Sequence, residues 1–223
     1  MTRVRALSFD VVGTLIDFET GILDCVRRQG VTAPDEQVLA EFAAAEDVQQ
    51  HRTPEMPFTQ MLDPISERLG LPDPAALRAS LPGWPAFPDA AGTLARLGHR
   101  FRLVALTNAD RAGTLAMART LGDPFDDVVT VSDVGVNKPD PQMFAWMLGR
   151  LDLAGISRGE LLHVAQSRYH DVGTAHRLGI RTCWVERRRG RAGTGATPAP
   201  PSAVAPDLHV GDLTELGELR ELS

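Results

Sequence analysis

The chain has 223 residues, 43% of them apolar and 23% charged, and a formal net charge of −6. These proportions describe a globular protein able to bury a sizeable core, and the acidic balance argues against nucleic acid as a partner. No uninterrupted apolar stretch is long enough to cross a bilayer, and Arg3 and Arg5 lead straight into a strand-like run, so a cytoplasmic protein without a membrane partner is expected.

In chain order, the first apolar run ends at Phe9-Asp10 and turns through Gly13. Helical periodicity then covers residues 20–28, 36–50, 58–69 and 74–81, with no strand among them. Pro82-Gly83-Trp84-Pro85 and Phe87-Pro88 break that pattern, and Asp89 is placed to cap a helix running to Leu97. Strands over 102–107, 127–131, 161–165 and 181–185 then alternate with helices over 111–121, 141–151 and 171–178. A late strand at 208–210 and a helix over 213–222 close the chain, after a Gly-, Ala- and Pro-rich stretch at 189–206 that reads as an exposed loop. The arginines at 187–189 and 191 read as solvated. Cys25 and Cys183, far apart and outside any metal-binding spacing, fit a reducing compartment.

Strands alternating with helices imply a doubly wound parallel α/β sheet. The helical block between its first two strands reads as an inserted cap over their carboxyl ends. The expected division is a Rossmann-like core from 1–17 and 88–223, with a cap at 18–87.

Four polar clusters fall at predicted strand ends, where open α/β sheets bind ligands. They are Asp10 with Thr14, Thr107-Asn108, Asn137-Lys138-Pro139-Asp140, and Gln166-Ser167-Arg168-Tyr169-His170-Asp171. A carboxylate at Asp10 suits covalent nucleophilic catalysis. Val12, two residues on, can neither donate nor accept a proton.

Together the four clusters resemble the haloacid dehalogenase superfamily. The resemblance implies a Rossmann-like core, a nucleophilic Asp10 and a helical cap. Phosphatases of that superfamily carry an Asp where this chain has Val12 and an acidic magnesium ligand where it has Gln166. The run Phe9-Asp10-Val11-Val12-Gly13-Thr14-Leu15, with Asn137-Lys138-Pro139-Asp140, is more similar to the (S)-2-haloacid dehalogenase branch. By that resemblance Asp10 attacks the carbon bearing the leaving group and forms an aspartyl ester. Asp171 is then the base for hydrolytic water and Lys138 the electrostatic support, while Thr14, Thr107 and Asn108 hold carboxylate oxygens. Val11, Val12, Gln166, Ser167, Arg168, Tyr169 and His170 complete the substrate contacts. The implied substrate is a small carboxylic acid, no cofactor is required, and a homodimer is compatible with the resemblance.

The cap stretch Phe42-Ala43-Ala44-Ala45-Glu46-Asp47 lacks the Arg with which this branch receives halide, and residues 166–170 also depart from its pattern. Ring opening of a cyclic amino acid such as azetidine-2-carboxylate, with His170 or Tyr169 as proton donor, is therefore an alternative. So are an atypical magnesium-dependent phosphatase and a non-catalytic, metabolite-binding member.

Overall fold

A strand buried on both faces needs apolar residues at successive positions rather than alternating ones. Residues Ala6–Phe9 meet that requirement and form β1, all four buried. The computed structural model describes residues 3–202 and 204–222. The other strands are β2 (Arg102–Thr107), β3 (Asp127–Thr130), β4 (Leu161–Ala165), β5 (Arg181–Val185) and β6 (Leu208–Val210). They form one sheet in the order β3-β2-β1-β4-β5-β6, with every pairing parallel. The strand order reverses at β1, which lies between β2 and β4, so a crevice opens at their carboxyl ends.

Four helices follow β1: α1 (Phe18–Arg28), α2 (Asp35–Arg52), α3 (Phe58–Arg68) and α4 (Ala76–Ser80). Asp17 starts α1 by accepting a hydrogen bond from the Thr20 backbone N at 3.2 Å. The crossover helices are α5 (Ala90–Gly98), α6 (Arg111–Thr120), α7 (Val131–Val134), α8 (Pro141–Leu153) and α9 (Gly173–Arg177), with α10 (Leu213–Gly217) near the end. One continuous apolar cluster joins Leu7 and Phe9 of β1 to Ile22, Phe42 and Leu62 of the inserted helices and Leu94 of α5. A second, on the opposite sheet face, packs Met143, Phe144 and Met147 of α8 against Val104 and Leu106 of β2. This is the capped, Rossmann-like α/β architecture expected from the sequence.

Several local expectations are corrected. Asp89 does not cap α5: its Oδ2 accepts from Arg187 Nη1 at 2.8 Å and from the Leu213 backbone N at 2.6 Å, because partners distant in sequence outcompete the local cap. Arg188 is buried and Arg187 half-buried, neither of them solvated. Arg187 lies over the Phe87 ring at 4.0 Å, and Arg188 pairs with Glu19 and Glu36, each at 2.6 Å. The stretch at 189–206 is not wholly exposed, since Ala196 and Thr197 are buried. The helix expected over 171–178 begins earlier, as a π-helical turn, Arg168–Val172, that leads into α9. The last helix is split into α10 and a 3₁₀ turn, Arg220–Leu222.

Candidate active site

The turn after β1 is built to present Asp10. Leu15 and Ile16 return their backbone N–H groups to the Val11 carbonyl, and Gly13 sits at φ +88°, where a side chain would be strained and would crowd Phe18. Thr14 Oγ1 donates to Asp10 Oδ2 at 2.6 Å and accepts from the Gln166 backbone N at 2.8 Å. The hydroxyl thus orients the carboxylate and ties the β1 turn to the end of β4.

Lys138 is fully buried, and all three ammonium protons are used. Nζ donates to Asp10 Oδ1, Asp171 Oδ1 and the Leu106 carbonyl, each at 2.8 Å. Its backbone is held as tightly, with Asn108 Oδ1 accepting from Lys138 N at 2.7 Å and Asn108 Nδ2 donating to Lys138 O at 2.9 Å. Behind it, His163 Nε2 donates to Asp171 Oδ1 at 2.9 Å, and Ser8 Oγ lies 2.8 Å from His163 Nδ1. The chain Ser8–His163–Asp171–Lys138–Asp10 therefore runs from the core to the cleft without a break.

The two carboxyls that share Lys138 are driven apart. Burial alone would raise Asp171, but Lys138 and His163 outweigh it and hold that carboxyl at about 2. At Asp10 burial prevails over the pull of Lys138, with repulsion from Asp171 added, so its carboxyl is raised. Asp10 is thus the more basic oxygen donor of the pair, the property a nucleophile needs. Burial would lower the Lys138 ammonium, but Asp10 and Asp171 together raise it, so the charge stays in place.

Asp10, Val12, Thr107, Asn108 and Lys138 meet in one cleft with Gln166, Ser167 and His170. It holds about 400 Å³, counting space open to solvent. Other expected site residues lie elsewhere. Val11 is buried in the apolar cluster, whereas Thr14, outside the cleft lining, does hold an Asp10 carboxylate oxygen. Arg168 donates to the Val204 carbonyl and lies over the Trp184 ring. Tyr169 turns its hydroxyl to Asp47 Oδ1 at 3.2 Å and lines a different hollow, and burial with the Asp47 charge pushes that phenol up to about 12. Asp171, expected as the base, has no exposed surface, and its Oδ1 lies 2.8 Å from Lys138 Nζ and 2.9 Å from His163 Nε2.

His170 lines the cleft with both ring nitrogens engaged. Nε2 lies 2.9 Å from Gln50 Oε1 and Nδ1 lies 3.1 Å from Ser167 Oγ. Burial lowers its imidazole to about 4, so at neutral pH the ring is uncharged and donates through Nε2 to Gln50. Gln50 Nε2 in turn donates to the Lys138 carbonyl at 2.5 Å.

Sequence reasoning missed Glu46, Gln50 and Thr197. Glu46 reaches the cleft from α2 and is only 5% exposed, and burial followed by the charges of Asp10 and Asp47 pushes its carboxyl up to about 8. A signal existed: Phe42, Glu46 and Gln50 are spaced four apart, on one helix face. Thr197 Oγ1 donates to Gln166 Oε1 at 3.2 Å, closing the cleft beside the fourth cluster.

A magnesium ion, which the resemblance implies only for phosphatases, requires several oxygen ligands, usually carboxylates. Here Asp10 Oδ1 accepts from Lys138, position 12 is Val, and Gln166 Oε1 accepts from Thr197. That donor set does not fit the ion.

A buried carboxylate at the carboxyl end of β1, a lysine returning from the loop after β3 to pair with it, and a helical insert after β1 define a class of α/β hydrolase. The family model for haloacid dehalogenase-like hydrolases matches residues 4–179, and the chain belongs to that family. It is 25% identical over 200 residues to an (S)-2-haloacid dehalogenase from Burkholderia cepacia, covering 83% of this chain and 84% of that protein. It is 33% identical over 136 residues to a phosphoserine phosphatase from Thermus thermophilus, a match covering 60% of this chain but only half of that relative's length. A structure of L-2-haloacid dehalogenase from Xanthobacter autotrophicus with chloropropionic acid covalently bound superposes with a TM-score of 0.77. The two are 23% identical, and the superposition covers 96% of this chain and 97% of that one, which establishes the shared fold. Among the described residues, no helix is long and apolar enough to cross a membrane.

Proposed function

We propose that this hydrolase displaces a leaving group from a carbon atom of a small carboxylic acid through an ester on Asp10, without a metal cofactor. The observation that carries the proposal is the buried Asp10–Lys138 pair in a cleft where position 12 offers no acid. Lys138 and Thr14 fix the carboxylate for in-line attack, and the C–X bond breaks as the new C–O bond forms. Water then attacks the Asp10 carboxyl carbon, and Lys138 and Thr14 are placed to stabilise the oxyanion that develops there. We take residues 18–87 as the cap that excludes bulk water during both steps.

The test is a turnover panel for wild type and Asp10→Asn with 2-haloacids, cyclic α-carboxylates and phosphate monoesters, each with magnesium or EDTA. EDTA-insensitive product formation that the variant loses is the expected result. A single turnover in ¹⁸O-labelled water should then place the label in Asp10. Magnesium-dependent phosphate release, lost in the same variant, would replace this reading with the phosphatase one that the 33% identical relative favours.

A further inference from the structure

In an in-line displacement the leaving group departs away from the nucleophile. Asp10 sits at the sheet end, and the wall contributed by the cap carries Glu46. Glu46 is buried and faces a crowd of polar groups: Asp10 from the β1 turn, Asp47 from its own helix, Tyr169 and His170 from the π-helical turn, and Lys138 behind Asp10. Its one ion-pair-range neighbour among the described residues is His170 Nε2, at 3.8 Å. That ring is uncharged and already committed to Gln50 and Ser167. An ionised Glu46 here would repel Asp10 and any departing anion.

Resting on the hydrolase reading above, we propose that Glu46 is the general acid for the leaving group, and that the natural substrate carries an oxygen or nitrogen leaving atom rather than a halide. As Asp10 forms its bond to carbon, the C–O or C–N bond breaks and its electron pair takes the Glu46 proton. The products of this half-reaction are the aspartyl ester, a neutral alcohol or amine, and a Glu46 carboxylate. In the second half, water gives one proton to Glu46 as its oxygen attacks the Asp10 carboxyl carbon. The ester's acyl–oxygen bond then breaks toward the alkoxide, which takes the other proton, so both carboxyls return to their starting state. The raised Glu46 carboxyl, still largely protonated near neutral pH, accords with this role.

Two measurements test it. The first follows single-turnover leaving-group release from 2-bromopropionate, glycidate and azetidine-2-carboxylate by wild type, Glu46→Gln and Glu46→Asp. The expected result for Glu46→Gln is ring opening of glycidate slowed by about 100-fold or more, with bromide release within a few-fold of wild type. Unchanged ring opening of glycidate and azetidine-2-carboxylate, or equal loss on all three probes, overturns the assignment. The second is difference infrared spectroscopy of the substrate-free protein. It should show a carboxylic acid band at pH 7 that is absent from Glu46→Gln and titrates at lower pH in Asp10→Asn. Absence of that band overturns the inference by itself, even if Glu46→Gln fails to fold. Failure of the hydrolase reading looks different: wild type would then release nothing from any of the three probes, or Asp10→Asn would match its turnover.

Discussion

Glu46 and His170 face the same cleft and titrate against each other. His170 moves from an ordinary 6.5 to about 4 on folding, so the unfolded chain holds the extra proton between those values and stability rises with pH there. Glu46 moves from 4.5 to about 8, so the folded state holds the extra proton and stability falls as pH rises across that window. The two slopes cancel between 4.5 and 6.5, leaving Glu46 alone from 6.5 to about 8. Wild type should therefore lose about 2 kcal/mol relative to Glu46→Gln over that last interval, at ~1.36 kcal/mol per pH unit for one proton. Urea melts of both proteins at pH 6.5 and 8.5 check this, and parallel midpoints would refute it. Asp171 acts at the other end, with stability lost as pH falls from 3.8 toward about 2.

At the scale of elements, the strands and the strand-end position of Asp10 were legible because their signals are local. β1 is a four-residue apolar run followed at once by Asp10, and Lys138 stands in a short polar cluster between strand and helix. What was not legible depends on distant contacts. Asp89 has the form of an N-cap, yet its partner Arg187 is 98 residues away. Arg187 and Arg188 belong to a charged run, and only the fold brings Phe87, Glu19 and Glu36 to them. On α2 the inward face itself carries Glu46, Gln49 and Gln50, so hydrophobic patterning hides the residues that reach the cleft. Close approach is also invisible in one dimension: a Cβ on Gly21 of α1 would stand 2.4 Å from the Trp84 ring. Gly21→Ala should destabilise the protein by about 2 kcal/mol through overpacking. Paired Gly21→Ala/Trp84→Leu should recover part of that loss in thermal melts, whereas additive losses would show that the two residues are not coupled.

For the whole molecule, the inserted helices and the sheet share one apolar cluster, in which Phe9, Phe42 and Leu62 belong to a single contact network. Cap and core should therefore unfold in one transition. Urea curves from far-UV circular dichroism and from Trp84 fluorescence, with Trp146 and Trp184 replaced by Phe, should coincide. Two separated midpoints would mean independent units. Several of the polar contacts that join the two parts converge on the loop of the lysine. Gln50 donates to the Lys138 carbonyl, Asn137 Nδ2 donates to the Pro54 and Met56 carbonyls, and Phe58 N donates to the Asn108 carbonyl. Any excursion that lifts the helices off the sheet thus also strips part of the support from the loop that carries the ammonium, leaving it to Asn108 and the partners of Nζ. The arrangement is an interlock: the loop that bears the buried lysine has its full set of anchors only while the inserted helices are seated.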